Sequence, residues 1–103
     1  MDYIWDINNT QGYNNEMGRY KTQVIMSFIL KNLPGKNNLN ILDIGGGSGR
    51  FAVPLVKRGH EVDVVDISNE AVNLLPEIKN LGSECADFMK YESKKKFNVV
   101  MAI

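Results

Sequence analysis

A chain of 103 residues has room for one domain, and 44% hydrophobic with 23% charged residues is a globular balance that excludes a disordered chain. Its 12 basic and 12 acidic side chains cancel to zero net charge, so no overall positive field points to nucleic acid or to an anionic membrane. The single cysteine, Cys85, excludes an internal disulfide and a cysteine-cluster metal site, and suits a reducing compartment.

The first residues, Met1 to Asp6, have neither a basic stretch nor a long apolar core, so they do not read as a signal peptide. The longest apolar run, Val24 to Leu30, is interrupted by Ser27 and is too short to span a bilayer. The expectation is a cytoplasmic protein. Residues 2–15 place Tyr3, Ile4, Trp5 and Tyr13 among asparagine pairs and Gly12, which reads as an irregular segment with short helical turns. From Met17 to Leu33 apolar residues recur at positions 17, 20, 24, 25, 28, 29 and 33, a helical spacing that Pro34-Gly35 ends.

After a polar loop, Asn40 to Ile44 is an apolar run broken only by Asp43, and Gly45-Gly46-Gly47-Ser48-Gly49 follows at once. Phe51, Val53, Leu55 and Val56 then recur at helical spacing until Gly59. The pattern is strand, tight glycine turn, helix. It predicts that the amides of Gly47, Ser48 and Gly49 sit at the positive end of a helix, ready for a polar or anionic group.

Glu61 to Asp66 reads as a second strand and Ser68 as the N-cap of a helix through Leu75, with a kink or restart at Pro76. Gly82 to Ala86 is a weak third strand, Tyr91 to Lys96 a solvated loop or helical turn, and Phe97 to Ile103 a fourth strand. Strands alternating with helices predict an α/β fold, a Rossmann-like, doubly wound parallel sheet of about four strands with right-handed crossovers. Residues 1–35 would form an N-terminal helical or lid segment, and residues 36–103 the core.

Leu39 to Arg50 resembles motif I of the class I S-adenosylmethionine-dependent methyltransferases, with Asp43, Gly45, Gly47 and Gly49 matching residue for residue. Asp66, some twenty residues after the glycine turn, stands where a doubly wound fold presents a carboxylate to a ribose, and the resemblance gives it that role beside Ile67. Cys85-Ala86-Asp87-Phe88 resembles the third motif, which implies that Asp87 accepts from the adenine amino group while Phe88 lies near the ring. Asp43 either faces the cofactor's methionine end or orients the amides of the glycine loop. Phe97-Asn98-Val99-Val100 resembles motif IV, with Asn98 where aspartate is common, a position that supports the strand entrance.

The resemblance implies a methyltransferase using S-adenosyl-L-methionine, with a small-molecule acceptor as the default and no metal. It names no catalytic residue, and the sheet would lack the strands that normally follow the fourth. The chain would then be a fragment whose open edge is covered by a partner chain or by the rest of the domain. Other readings are a non-catalytic binding module, and a nicotinamide-dinucleotide domain through Gly47-Ser48-Gly49-Arg50-Phe51-Ala52, which would leave Gly45-Gly46 unexplained. Without Gly-Lys-Ser/Thr after the glycines, a P-loop is excluded. Aromatics near the amino end (Tyr3, Trp5, Tyr13 and Tyr20) with Arg19 would be lid or packing residues. His60 reads as a turn residue, Lys94 to Lys96 as a solvated run, and Met17, Met26 and Met89 as core.

Overall fold

The computed structural model describes residues 16–103, which fall into two compact units divided at Asn32 and Leu33. The expectations for Tyr3, Ile4, Trp5 and Tyr13 lie outside the described residues.

The first unit contributes helix α1, Glu16–Asn32, with an acid in its first turn and Lys31 in its last, which complements the helix dipole. The periodicity gives the helix but not its buried side. Gly18, Met26 and Ile29 are buried, while Met17, Tyr20, Val24 and Phe28 are exposed. A helix with so many apolar positions carries two stripes, and spacing alone does not say which one is covered.

The second unit, Leu33–Ile103, is an α/β layer. Its strands are β1 (Asn40–Ile44), β2 (Glu61–Asp66), β3 (Leu81–Cys85) and β4 (Val99–Ala102), all parallel in the order β3-β2-β1-β4. The first two strands coincide with the sequence reading, whereas β3 begins one residue earlier and β4 is shorter at both ends. Between the strands lie α2 (Ala52–Lys57) and α3 (Asn69–Asn73), both packed on β2 and β3. Pro54 is tolerated in α2 because it falls in the first turn, where its missing N–H has no helical partner to lose.

Ser68 caps α3 as expected, its Oγ accepting from the Ala71 N–H at 3.1 Å. The helix does not restart after Pro76: it ends at Asn73, and Leu74 to Ile78 run on without helical structure. Proline removes the donor the next turn needs, and no apolar stripe follows to recover the loss.

Residues paired in register point to one side of the sheet. Ile41, Asp43, Val62, Val64 and Asp66 share one face, and Leu42, Asp63 and Val65 the other. The core is built from Ile41, Leu55, Val62, Val64 and Val65, none more than 1% exposed, each contributing ~1.5–3 kcal/mol by leaving water. The β3-to-β4 connection carries one 3₁₀ turn, Phe88–Lys90, and returns over the second face, where Lys95 Nζ donates to Asp63 Oδ2 at 3.1 Å. Strand order therefore reverses between β1 and β4, and such a switch point opens a crevice at the carboxyl ends of the strands.

The candidate cofactor site at the carboxyl edge

Gly45 to Phe51 form a turn that bends the chain from β1 toward α2. The Gly45 N–H donates to the Val65 carbonyl at 2.7 Å, which extends the β1–β2 ladder one step beyond the strands. Gly45, Gly47 and Gly49 all take positive φ. Gly49 has a second reason to be glycine, since a Cβ would stand 2.8 Å from Leu75 Cδ2 and 2.8 Å from Val53 Cγ2. Gly46, with ordinary φ, is fixed by contact alone: a Cβ there would lie 2.5 Å from Asp43 Oδ2 and 3.0 Å from Val64 Cγ1. Spacing had singled out Gly45, Gly47 and Gly49, and nothing in it marked Gly46.

Asp66, at the end of β2, braces this turn. Its Oδ2 accepts from the Gly47 N–H at 2.9 Å, and its Oδ1 from the Ser68 N–H at 2.8 Å. Hydrogen bonds to a charged acceptor are worth ~1.5–3 kcal/mol each, so this carboxylate is a structural tie with lone pairs to spare. The predicted cluster of helix-end amides is corrected here. The Gly47 N–H is held by Asp66, the Gly49 N–H by the Gly46 carbonyl at 3.2 Å, and α2 starts only at Ala52.

Asp43 makes no hydrogen bond to the loop amides; the Gly47 N–H is held by Asp66. Asp43 is 2% exposed, and its Oδ2 is buried with no partner among the described residues. Burial, and then the charge of Asp66, push its pKa up to about 7.

On β3 the ladder runs past its last residue, the Ala86 N–H donating to the Asp66 carbonyl at 3.0 Å. Asp87 thus stands beside the end of β2. Its Oδ1 accepts from the Met89 N–H at 3.0 Å and caps the 3₁₀ turn. Ile67 and Phe88 are 75% and 46% exposed, apolar surface beside two carboxylates. Cys85 Sγ donates to the Ile67 carbonyl at 3.4 Å, a tie between these ends that the sequence did not signal.

Four predicted groups therefore meet at one edge: the glycine turn, Asp43 behind it, Asp66 bridging it, and Asp87 with Phe88 one strand over. Among the described residues, a Cβ at Gly45 would have nothing within 4 Å, and at Gly47 only Asp66 Oδ2 at 4.0 Å, so these residues leave the turn an open side. Apolar surface beside acids suits a ligand with a flat ring, hydroxyls and positive charge. His60 belongs to the opposite edge: its Nδ1 accepts from the Leu39 N–H at 3.3 Å, and the side chain is buried. Among the described residues no group of acids, histidines and cysteine could hold a metal ion.

This fold is that of the class I S-adenosylmethionine-dependent methyltransferases. The chain belongs to the methyltransferase domain family, whose model matches residues 17–103. A curated relative, the release factor glutamine methyltransferase of Coxiella burnetii, is 34% identical over 73 residues, 69% of this chain. The chain spans 26% of that relative's length. Among solved structures, the N-methyltransferase NodS of Bradyrhizobium japonicum, in complex with S-adenosylhomocysteine, superposes with a TM-score of 0.72 at 17% identity, over 88% of this chain and 47% of that one. Phosphoethanolamine N-methyltransferase 1 of Haemonchus contortus superposes at 0.70 and 22% identity, over 85% of this chain and 20% of that one. No described helix is long and apolar enough to cross a membrane.

Proposed function

We infer that this chain is the cofactor-binding part of an S-adenosylmethionine-dependent methyltransferase acting on a small molecule. The observation that carries the reading is Asp66, locked to the Gly47 amide while keeping acceptor capacity at the carboxyl edge. In this reading Asp66 holds the ribose hydroxyls, and Gly45, Gly47 and Gly49 admit the cofactor's body against the backbone. Asp87, with one oxygen already capping Met89, offers the other to the adenine amino group, with Ile67 and Phe88 against the ring. Asp43 lies behind the turn on the side of the amino-acid end. When bound, the cofactor supplies an electrophilic methyl group on a sulfonium, and an acidic edge favours that positive charge.

A small-molecule acceptor is supported by the phosphoethanolamine N-methyltransferase named above and by the coclaurine N-methyltransferase structure bound to N-methylheliamine, which superposes with a TM-score of 0.70 at 15% identity. Residues 36–103 would be the core and 1–35 a helical or lid segment. A strand added beside β4, from the same protein or a partner, would cover Val100, which is 59% exposed.

Calorimetric titration with S-adenosylhomocysteine tests the cofactor assignment. Saturable binding that falls at least tenfold in Asp66→Asn is expected. A folded chain that does not bind would overturn it.

A further inference from the structure

Helix α1 carries two apolar stripes, and only one of them is buried. Gly18, Met26 and Ile29 are covered, whereas Met17, Tyr20, Val24 and Phe28 recur on the other side, each more than half exposed. With about 100° between successive residues, these four fall within one sector of roughly 80°. Single exposed apolar side chains are ordinary, but four on consecutive turns form the kind of patch that marks a docking surface.

The exposed stripe is symmetric about its own middle. Met17 and Phe28 are centred between positions 22 and 23, and Tyr20 and Val24 on position 22. A two-fold axis there, perpendicular to the helix, sets Met17 of one copy level with Phe28 of another, and Tyr20 level with Val24. The charges at the helix ends follow the same symmetry. Glu16 in the first turn and Lys31 in the last are centred between positions 23 and 24, on the same side of the stripe's midline. Same-side positions meet in an antiparallel pair, so Glu16 of one copy comes within about 3 Å of level with Lys31 of the other. The helix dipoles then oppose, which also favours this direction. A parallel pair would instead set Glu16 against Glu16 and Lys31 against Lys31. Lys21, near the axis but across the midline, would approach its own copy, and that like-charge repulsion opposes the pairing.

We propose that this stripe joins two copies of the chain as an antiparallel, two-fold symmetric helix pair. The pairing is weak and reversible. A helix of 17 residues offers a strip on the order of 25 Å by 10 Å, well below the ~800 Å² per partner of a stable interface. None of its residues is assigned to the cofactor, so the proposal stands apart from the reading above.

Sedimentation equilibrium of the full chain between about 20 µM and about 1 mM tests it, with an expected dissociation constant on the order of 0.1 mM. Phe28→Asp should weaken association at least ~10-fold, because it puts a charge in the middle of the contact. Lys31→Glu should weaken it about threefold, and Glu16→Lys combined with Lys31→Glu should restore it, which a merely structural loss would not allow. Cross-linking in a Cys85→Ser background reads the register: chains carrying Met17→Cys should join chains carrying Phe28→Cys, and neither should join itself. A chain that stays monomeric at about 1 mM, because another segment or a different partner covers the stripe, would overturn the proposal. So would a dimer that Phe28→Asp leaves intact, which would put the contact elsewhere, or Met17→Cys joining itself, which marks a parallel pair.

Discussion

The two ends of the same sheet are finished differently. At the amino edge the chain closes on itself: the Asn38 N–H donates to the Gly59 carbonyl at 2.9 Å, and the Asn40 N–H to Asn98 Oδ1 at 2.7 Å. The Asn98 N–H returns the bond to the Asn40 carbonyl at 2.7 Å. At the carboxyl edge, glycines hold the turn open and acids face one another. Each end also buries one titratable group, and burial keeps both on the neutral side, raising Asp43 and lowering His60, to which the nearby Arg58 charge adds. Both keep one buried polar atom without a partner, Asp43 Oδ2 and His60 Nε2, yet His60 has its other nitrogen bonded to Leu39, and Asp43 has no hydrogen bond among the described residues. One edge is built to hold, the other to receive.

The contrast is broken most completely from beneath. Leu55 is fully buried, so Leu55→Ala should lose ~2–5 kcal/mol by urea denaturation and weaken both edges together. Gly49→Ala sharpens the comparison. A Cβ 2.8 Å from Leu75 and Val53, at a φ of +92°, should cost ~1–3 kcal/mol and also reduce S-adenosylhomocysteine binding. Asn98→Ala should lose ~0.5–1.5 kcal/mol in thermal unfolding and leave that binding unchanged, since it touches only the amino edge.

The pH dependence of stability separates the ends by sign. Asp43 binds its proton more tightly folded than unfolded, so its contribution is full below the unfolded pKa near 3.8 and is lost as pH rises toward 7. His60 is the reverse: the unfolded chain takes up its proton first, and stability falls as pH drops below about 6.5. Unfolding of the ligand-free chain across pH should show the first slope vanish in Asp43→Asn and the second in His60→Gln. Smallest of all, Lys95→Ala should cost under ~1 kcal/mol, because this ion pair is exposed.

The strands were legible because short valine-rich runs such as Glu61 to Asp66, set between turn signals, admit few alternatives; Asp66 was singled out by its distance from the glycines, and Asp87 by the resemblance of Cys85 to Phe88 to a family motif. What stayed hidden depends on contacts far apart in sequence. His60 gave no sign that it would be buried against Leu39, since a lone histidine after glycine looks like any turn residue. Asp66 was read for a ligand, but its tie to Gly47 across 19 positions leaves no local mark. Gly46 was overlooked because its backbone is ordinary and only the neighbouring carboxylate forbids a side chain. Helix α1 was legible from its spacing, but the side it buries, Gly18, Met26 and Ile29, was not.

The strand order also sets a schedule for folding. In β1, Ile41 pairs with Val62, 21 positions away, and with Val99, 58 away. Closing the longer loop costs ~0.9 kcal/mol more in chain entropy, which favours pairing of β1 with β2 ahead of β4. The Asn40–Asn98 ring, at the first step of that late pairing, is the latch by which the fourth strand finds its register.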